Sequence, residues 1–262
     1  MKSKIIVVPH QQSTGLYVLH RDNPDNAVRW LMPESVSGLW GFELVRTWYS
    51  VPGARWEARP EGSFVQEHRV PGVGAWRAEI EIGDEHVEAR LTVHNERSFA
   101  VEHVTSCPCW EFRNAPDLYG SDPGVEALSR AWIKSGGRLV RLSETDRRRT
   151  QDGVLPVYPV RDAAGPPGWA QRVGDGYGWG LSDTVADLGF IGLESTDGRL
   201  STGTAWDRAY SVSFNTKPPW HGCIHSHPYL GTIPAGGSLS IRGRAWIIAG
   251  GMEELYRRAV LP

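Results

Sequence analysis

The run His221-Gly222-Cys223-Ile224-His225-Ser226-His227-Pro228-Tyr229 gathers three of the nine histidines and one of the three cysteines of a 262-residue chain. If the run is extended, His221, Cys223, His225 and His227 project from one face, because side chains alternate along a strand. Imidazoles exchange protons near neutral pH, and imidazole with thiolate ligates Zn(II) or copper. After the turn at Pro234-Ala235-Gly236-Gly237 comes Ser238-Leu239-Ser240-Ile241-Arg242-Gly243-Arg244-Ala245-Trp246. A hairpin of the two runs pairs His225 with Arg242, Cys223 with Arg244 and His221 with Trp246, although a bulge anywhere in it exchanges the faces.

Such a face supports two kinds of chemistry. On an organic ligand, His225, His227 and Tyr229 form the catalytic group. Arg242 and Arg244 form a planar clamp for a carboxylate, and Trp246 offers a plane on which a sugar ring stacks. No cofactor is needed for that reading. On a metal, Zn or Cu, the ligands are His221, Cys223, His225 and His227. A polar outer face with its histidines bonded to backbone carbonyls stands as the third possibility.

Cys107-Pro108-Cys109 extends the metal option. On a strand, His103, Cys107, Cys109 and Glu111 share a face with Val101, and Cys107 and Cys109 joined by Cys223 and His225 would make a Cys/His zinc site. The same two cysteines also suit an ordinary small-residue core position. Arg113 and Asn114 leave that strand for a turn, where polar side chains can hold a sugar, and Glu194 and Asp207 are candidate carboxylate bases. Phosphate-binding Gly-x-x-x-x-Gly-Lys-Ser/Thr, a Rossmann fingerprint after a strand, Gly-x-Ser-x-Gly and His-Glu-x-x-His are all absent from the sequence.

At His225-Ser226-His227-Pro228-Tyr229-Leu230 the sequence resembles the His-Pro-Tyr-Phe segment of galactose-mutarotase-like proteins. The pairing of a Cys-Ile-His-Ser strand with an Arg-Gly-Arg strand is similar to that of uncharacterised bacterial β-sandwich proteins. The resemblance covers about a third of the chain. It implies a large β-sandwich and a saccharide ligand. In the mutarotases a His acid and a Glu base open the sugar ring, and related sandwiches in polysaccharide lyases bind uronates. Only His227 matches the motif position by position. The Asn-His before an aromatic is missing, and the resemblance leaves the Glu base unplaced.

The elements that must position these residues read as strands. Trp76, Ala78, Ile80 and Ile82 alternate with Arg77, Glu79 and Glu81, and after a turn Val87, Ala89, Leu91 and Val93 alternate with Glu88, Arg90 and Thr92. Further strands are expected near 16–20, 39–49, 63–70, 99–112, 130–144, 154–160, 187–195, 201–216, 220–229 and 238–249. Roughly 13–15 strands exceed one open sheet, so an all-β, two-sheet antiparallel sandwich spanning 1–262 as a single domain is predicted. The 30 glycines and 18 prolines, spread along the chain, supply its turns. The one clear helix is the last segment, where Met252, Leu255, Tyr256 and Ala259 share a face, acidic residues lead and arginines close. The turn-rich stretch 161–179 carries Trp169, Tyr177 and Trp179, which suits an ordered loop over a cleft better than a linker. Most of the 12 tryptophans are assigned to packing.

A formal charge of -2 argues against nucleic acid as a partner. No run of about 18 apolar residues predicts a membrane span. Three cysteines make no disulfide framework. The four apolar residues Ile5–Val8 are too few for a signal-peptide core, so a cytoplasmic location is expected unless a leader has been removed. Oligomeric state has no signature.

Overall fold

The computed structural model describes residues 3–10, 13–46, 51, 54–120, 125–147, 155–173, 179–216 and 222–260. Two sheets of nine strands each account for most of them. The first runs β1 (Ile5–Pro9), β2 (Gly15–His20), β3 (Asn23–Ser37), β9 (Val101–Asn114), β17 (Cys223–Ile233), β16 (Ala209–Asn215), β12 (Pro156–Pro159), β13 (Gly180–Leu181), with β4 (Glu43–Arg46) paired to β3. The second runs β11 (Arg138–Arg141), β10 (Ala131–Ser135), β14 (Phe190–Glu194), β15 (Leu200–Trp206), β18 (Ser238–Ala249), β8 (His86–Asn95), β7 (Gly74–Ile82), β6 (Phe64–Val70), β5 (Glu57–Ala58). The described helices are α1 (Pro116–Tyr119), α2 (Trp169–Arg172) and α3 (Met252–Val260), besides two single 3-10 turns. None is long and apolar enough to cross a membrane.

Alternation builds the core between the sheets. Val28, Trp30, Trp110, Phe112, Phe214 and Ile224 point inward from the first sheet, and Trp76, Ile80, Leu91 and Ile247 from the second. Trp30 meets Trp110 and Trp206 edge-on at 5.4 and 6.1 Å between ring centroids, the geometry aromatic quadrupoles favour. Buried Trp110 donates its indole N–H to Thr202 Oγ1 at 2.7 Å, so its polar atom carries no desolvation debt. Trp30, Trp56, Trp76, Trp110 and Trp206 all serve this core, as packing demands of so large a side chain.

Three expectations are corrected. The hairpin of β17 with β18 does not exist: β17 pairs with β9 and β16 in one sheet, and β18 with β15 and β8 in the other. The Pro234–Gly237 turn is an arch that carries the chain between sheets. Asn95 holds it, donating its side-chain amide to the Ile233 and Pro234 carbonyls at 3.1 and 3.0 Å and its backbone N–H to Gly237 at 2.9 Å. The stretch 201–216 likewise splits, β15 and β16 lying in different sheets. Finally, β3 is a 15-residue strand outside the expected set, its pattern masked by the turn-forming Asn23-Pro24-Asp25-Asn26 and by Pro33.

The second sheet has its outer face partly covered by α3. Phe190, Trp246, Ile248, Met252 and Leu255 form a separate apolar cluster there. Glu194 seats the helix, its carboxylate accepting the Met252 backbone N–H at 2.7 Å and the Trp132 indole N–H at 3.1 Å.

Candidate functional site

The outer face of the first sheet carries the chemistry. In β17 Ile224 enters the core, so Cys223, His225 and His227 face the other way, as the alternation predicts. Registers set the neighbours in rows across the sheet. Arg29, Glu111, Cys223 and Asn215 lie side by side on β3, β9, β17 and β16. The next row is Leu31, Cys109, His225 and Ser213. Beyond it Ser35 lies beside Cys107, and His227 beside Ser211.

Two irregularities shape this face. Leu31 pairs with Cys109 and Ser35 with Cys107, so Met32, Pro33 and Glu34 stand opposite Pro108 alone. That bulge turns Glu34 onto the open face while Met32 and Val36 stay in the core. The second lies at His103, whose φ is +57°, a conformation a non-glycine residue rarely adopts. It reverses the alternation of β9. Val101 and Val104 are both core residues, so Val101 does not share a face with Cys107, Cys109 and Glu111 as expected.

A carboxylate and an imidazole meet at the centre. Glu34 Oε2 is 3.7 Å from His225 Nε2 and accepts the Cys107 thiol at 3.6 Å. Burial opposes ionisation of Glu34, but His225 and the thiols of Cys107 and Cys109 outweigh it and hold the carboxyl below its ordinary value. His225 is 4% exposed. Burial disfavours its cation too, yet Cys109 and Glu34 reverse the balance and raise its pKa to about 10. Ser213 Oγ stands 3.3 Å from His225 Nδ1 and 2.8 Å from His227 Nε2, and the two imidazoles stack at 5.4 Å. Burial, then the charge of His225, pushes His227 down to about 3. Burial raises the Cys107 thiol, and the Cys109 thiol is raised by its own hydrogen bond with Cys223 and by burial.

Two cavities open above these rows. One, of about 730 Å³, is lined by Arg29, Glu34, Glu111, Arg113, Trp179 and His225 among others. The second, of about 790 Å³, has His103, Trp169 and Tyr210 on its wall. Ser37, Trp179 and His227 line both, which makes one groove across the sheet. Trp179 stands edge-on to His225 at 6.1 Å. The groove's arginines are matched by carboxylates: Arg29 and Arg113 bond Glu111 at 2.5 and 2.9 Å, and Arg46 bonds Glu43 at 2.8 Å.

The remaining expected site residues are dispersed. Arg242 and Arg244 stand on the outer face of the second sheet, cross-strand from Arg90 and Glu88, and Arg244 bonds Glu88 at 2.7 Å. Trp246 is buried beneath α3. The structure therefore does not bring these three to the histidines, because the arch replaces the hairpin. Tyr229 stacks on His103 and bonds its Nδ1 at 2.8 Å. Asn114 donates to Tyr17 Oη at 3.4 Å on an exposed strand end, and Glu194 is committed to α3. His221 lies outside the described residues. Glu34, Arg29 and Ser213 were missed. Alternation through Ala27-Val28-Arg29-Trp30-Leu31-Met32 could have exposed β3 and Arg29, but the bulge that places Glu34 leaves no such mark.

No family model matches the sequence, and no curated protein matches it. Solved structures do match in shape. A galactose mutarotase related enzyme from Lactobacillus acidophilus has a TM-score of 0.52 at 10% identity, covering 95% of this chain and 98% of that one. An alpha-mannosidase from Enterococcus faecalis has a TM-score of 0.50 at 9% identity, covering 99% of this chain and 30% of its own. With two nine-stranded sheets, antiparallel but for the β12–β13 pair, and a C-terminal helix against one of them, this chain has the galactose-mutarotase-like β-sandwich fold.

Proposed function

We propose that the groove binds a neutral saccharide and that the protein interconverts its anomers or epimers by proton transfer. One observation carries the reading: the Glu34–His225 pair, 3.7 Å apart, on the floor of a cavity large enough for a sugar ring. Glu34 accepts the proton of the anomeric hydroxyl, the bond from the anomeric carbon to the ring oxygen breaks, and His225 faces the ring oxygen and gives it a proton. Closure on the opposite face of the carbonyl returns both protons. Trp179 offers the stacking plane. A sugar enzyme on the same fold supports the ligand class, by analogy of fold.

A neutral ligand fits better than a uronate. Arg29, Arg46 and Arg113, which line the 730 Å³ cavity, each pair with a carboxylate, so their charge is largely met among the described residues, although Arg29 and Arg113 share Glu111 and Arg29 Nε has no hydrogen-bond partner.

Polarimetry of freshly dissolved aldose anomers and uronic acids tests the reading. Wild-type protein should speed equilibration of at least one neutral aldose more than any uronate. Glu34→Gln should lower that rate by about 10²–10⁴-fold, the usual range for a general base. Preference for uronates, or full activity in Glu34→Gln, would overturn it.

A further inference from the structure

All three cysteines of the chain converge on this floor from two strands, and the saccharide reading uses none of them. Cys109, Cys223 and His225 each offer one ligand atom, and these atoms lie within 4.8 Å of one another. All three residues are buried, at 4%, 3% and 4% exposure, yet they line the 730 Å³ cavity. A tetrahedral zinc with Zn–S near 2.3 Å and Zn–N near 2.0 Å sets its ligand atoms roughly 3.5–3.8 Å apart. The ligand atoms, all within 4.8 Å, thus stand about 1 Å or less from that spacing.

We propose that Cys109, Cys223 and His225 hold a Zn(II) ion whose fourth position faces the groove. The donor set argues for zinc over harder ions, since two thiolates and an imidazole are borderline-soft and exclude Mg(II) and Ca(II). Two thiolates, one histidine and an open position is also an arrangement catalytic zinc uses. An imidazole that ligates a metal commonly has its other nitrogen held by a polar neighbour, and Ser213 Oγ stands 3.3 Å from His225 Nδ1. Cys107 and Glu34 bond each other at 3.6 Å and flank the ion. Packing alone explains the contact of Cys109 and Cys223 with Leu31, but not an imidazole turned into the same pair. The siting is independent of the sugar. Its role rests on the proposed reaction and changes one part of it: an imidazole that ligates zinc cannot also give a proton to the ring oxygen, so the ion would replace His225 as the electrophile there, and Glu34 remains the proton acceptor.

The test uses full-length, reduced, chelator-stripped protein titrated with Co(II), then with Zn(II) in competition. Binding of one ion per chain with a sulfur-to-cobalt charge-transfer band is expected. Cys109→Ser and Cys223→Ser should each remove the band and weaken zinc binding by more than the roughly 10–100-fold that an outer-shell loss costs. Cys107→Ser and Glu34→Gln should keep both. Cys109→Ala and Cys223→Ala, checked by circular dichroism, preserve the apolar packing should the serines misfold. No uptake by reduced wild-type protein, cobalt bound without a thiolate band, or a band that survives in Cys223→Ser and is lost in Cys107→Ser would overturn the site. Turnover lost in Glu34→Gln with metal retained separates the reaction from the metal. Metal bound as described with no sugar turned over leaves the site standing and sinks the reaction.

Discussion

At the scale of the residue, the site sets a soft and ionisable floor beneath a groove of balanced charge. Trp179 touches both halves of that groove and makes no covalent demand on the ligand. Its stacking should serve ground state and transition state alike. Trp179→Ala should therefore raise KM by an amount equivalent to about 0.5–1.5 kcal/mol, with kcat nearly unchanged. Steady-state kinetics on the responding aldose decides this, and a large fall in kcat would give Trp179 another role. The shared face of Cys223, His225 and His227 was legible in the sequence, because period-two alternation survives in β17. Cys107 and Cys109 were legible as a pair, though their meeting with Cys223 depends on a register that a sequence does not print. Glu34 was invisible: its outward turn comes from a bulge opposite Pro108, and bulges carry no pattern of their own.

At the scale of the element, segments with a clean period are legible nearly to the residue, β18 by its alternation and α3 by its helical face. Connections were the weak point. A Pro-Ala-Gly-Gly turn reads alike as hairpin and as arch, and the buried Asn95 distinguishes them here. Its side chain meets the carbonyls of Phe99, Ile233 and Pro234 at 2.8, 3.1 and 3.0 Å. Asn95→Ala strands those carbonyls in a dry arch and should cost about 1–3 kcal/mol of stability, read from urea denaturation. A loss below the scatter of the measurement would mean that water reaches the arch. His20, at the end of β2, is 1% exposed, and burial holds its pKa below the ordinary value despite Asp22. The unfolded chain takes up a proton there below about pH 6.5, which the folded chain resists. The stability contributed by neutral His20 is thus complete above that pH and is lost as pH falls toward the folded value. His225, whose pKa is raised, acts in the opposite direction, so the His20 contribution is read as a difference: between about pH 7.5 and about pH 5.5 the urea midpoint of wild-type protein should fall relative to that of His20→Gln, and parallel midpoints would exonerate His20.

At the scale of the whole molecule, the sandwich separates what looked adjacent. The histidines sit on the outer face of one sheet and Arg242 and Arg244 on the outer face of the other, with the whole tryptophan-rich core between them. Composition and turn density made two sheets legible, but not which strand enters which sheet. The consequence is that Arg242→Lys and Arg244→Lys should leave sugar handling unaltered, and stability within about 0.5 kcal/mol, as for surface substitutions generally. Activity loss in either would place the ligand on the wrong sheet. The most direct test of the groove as the working face is magnetisation exchange between the two anomers of one neutral aldose, observed by proton NMR. Wild-type protein and the Arg242→Lys/Arg244→Lys double variant should both drive exchange, and Glu34→Gln should leave the anomers isolated on that timescale. Exchange that persists in Glu34→Gln and vanishes in the arginine variant would contradict the account.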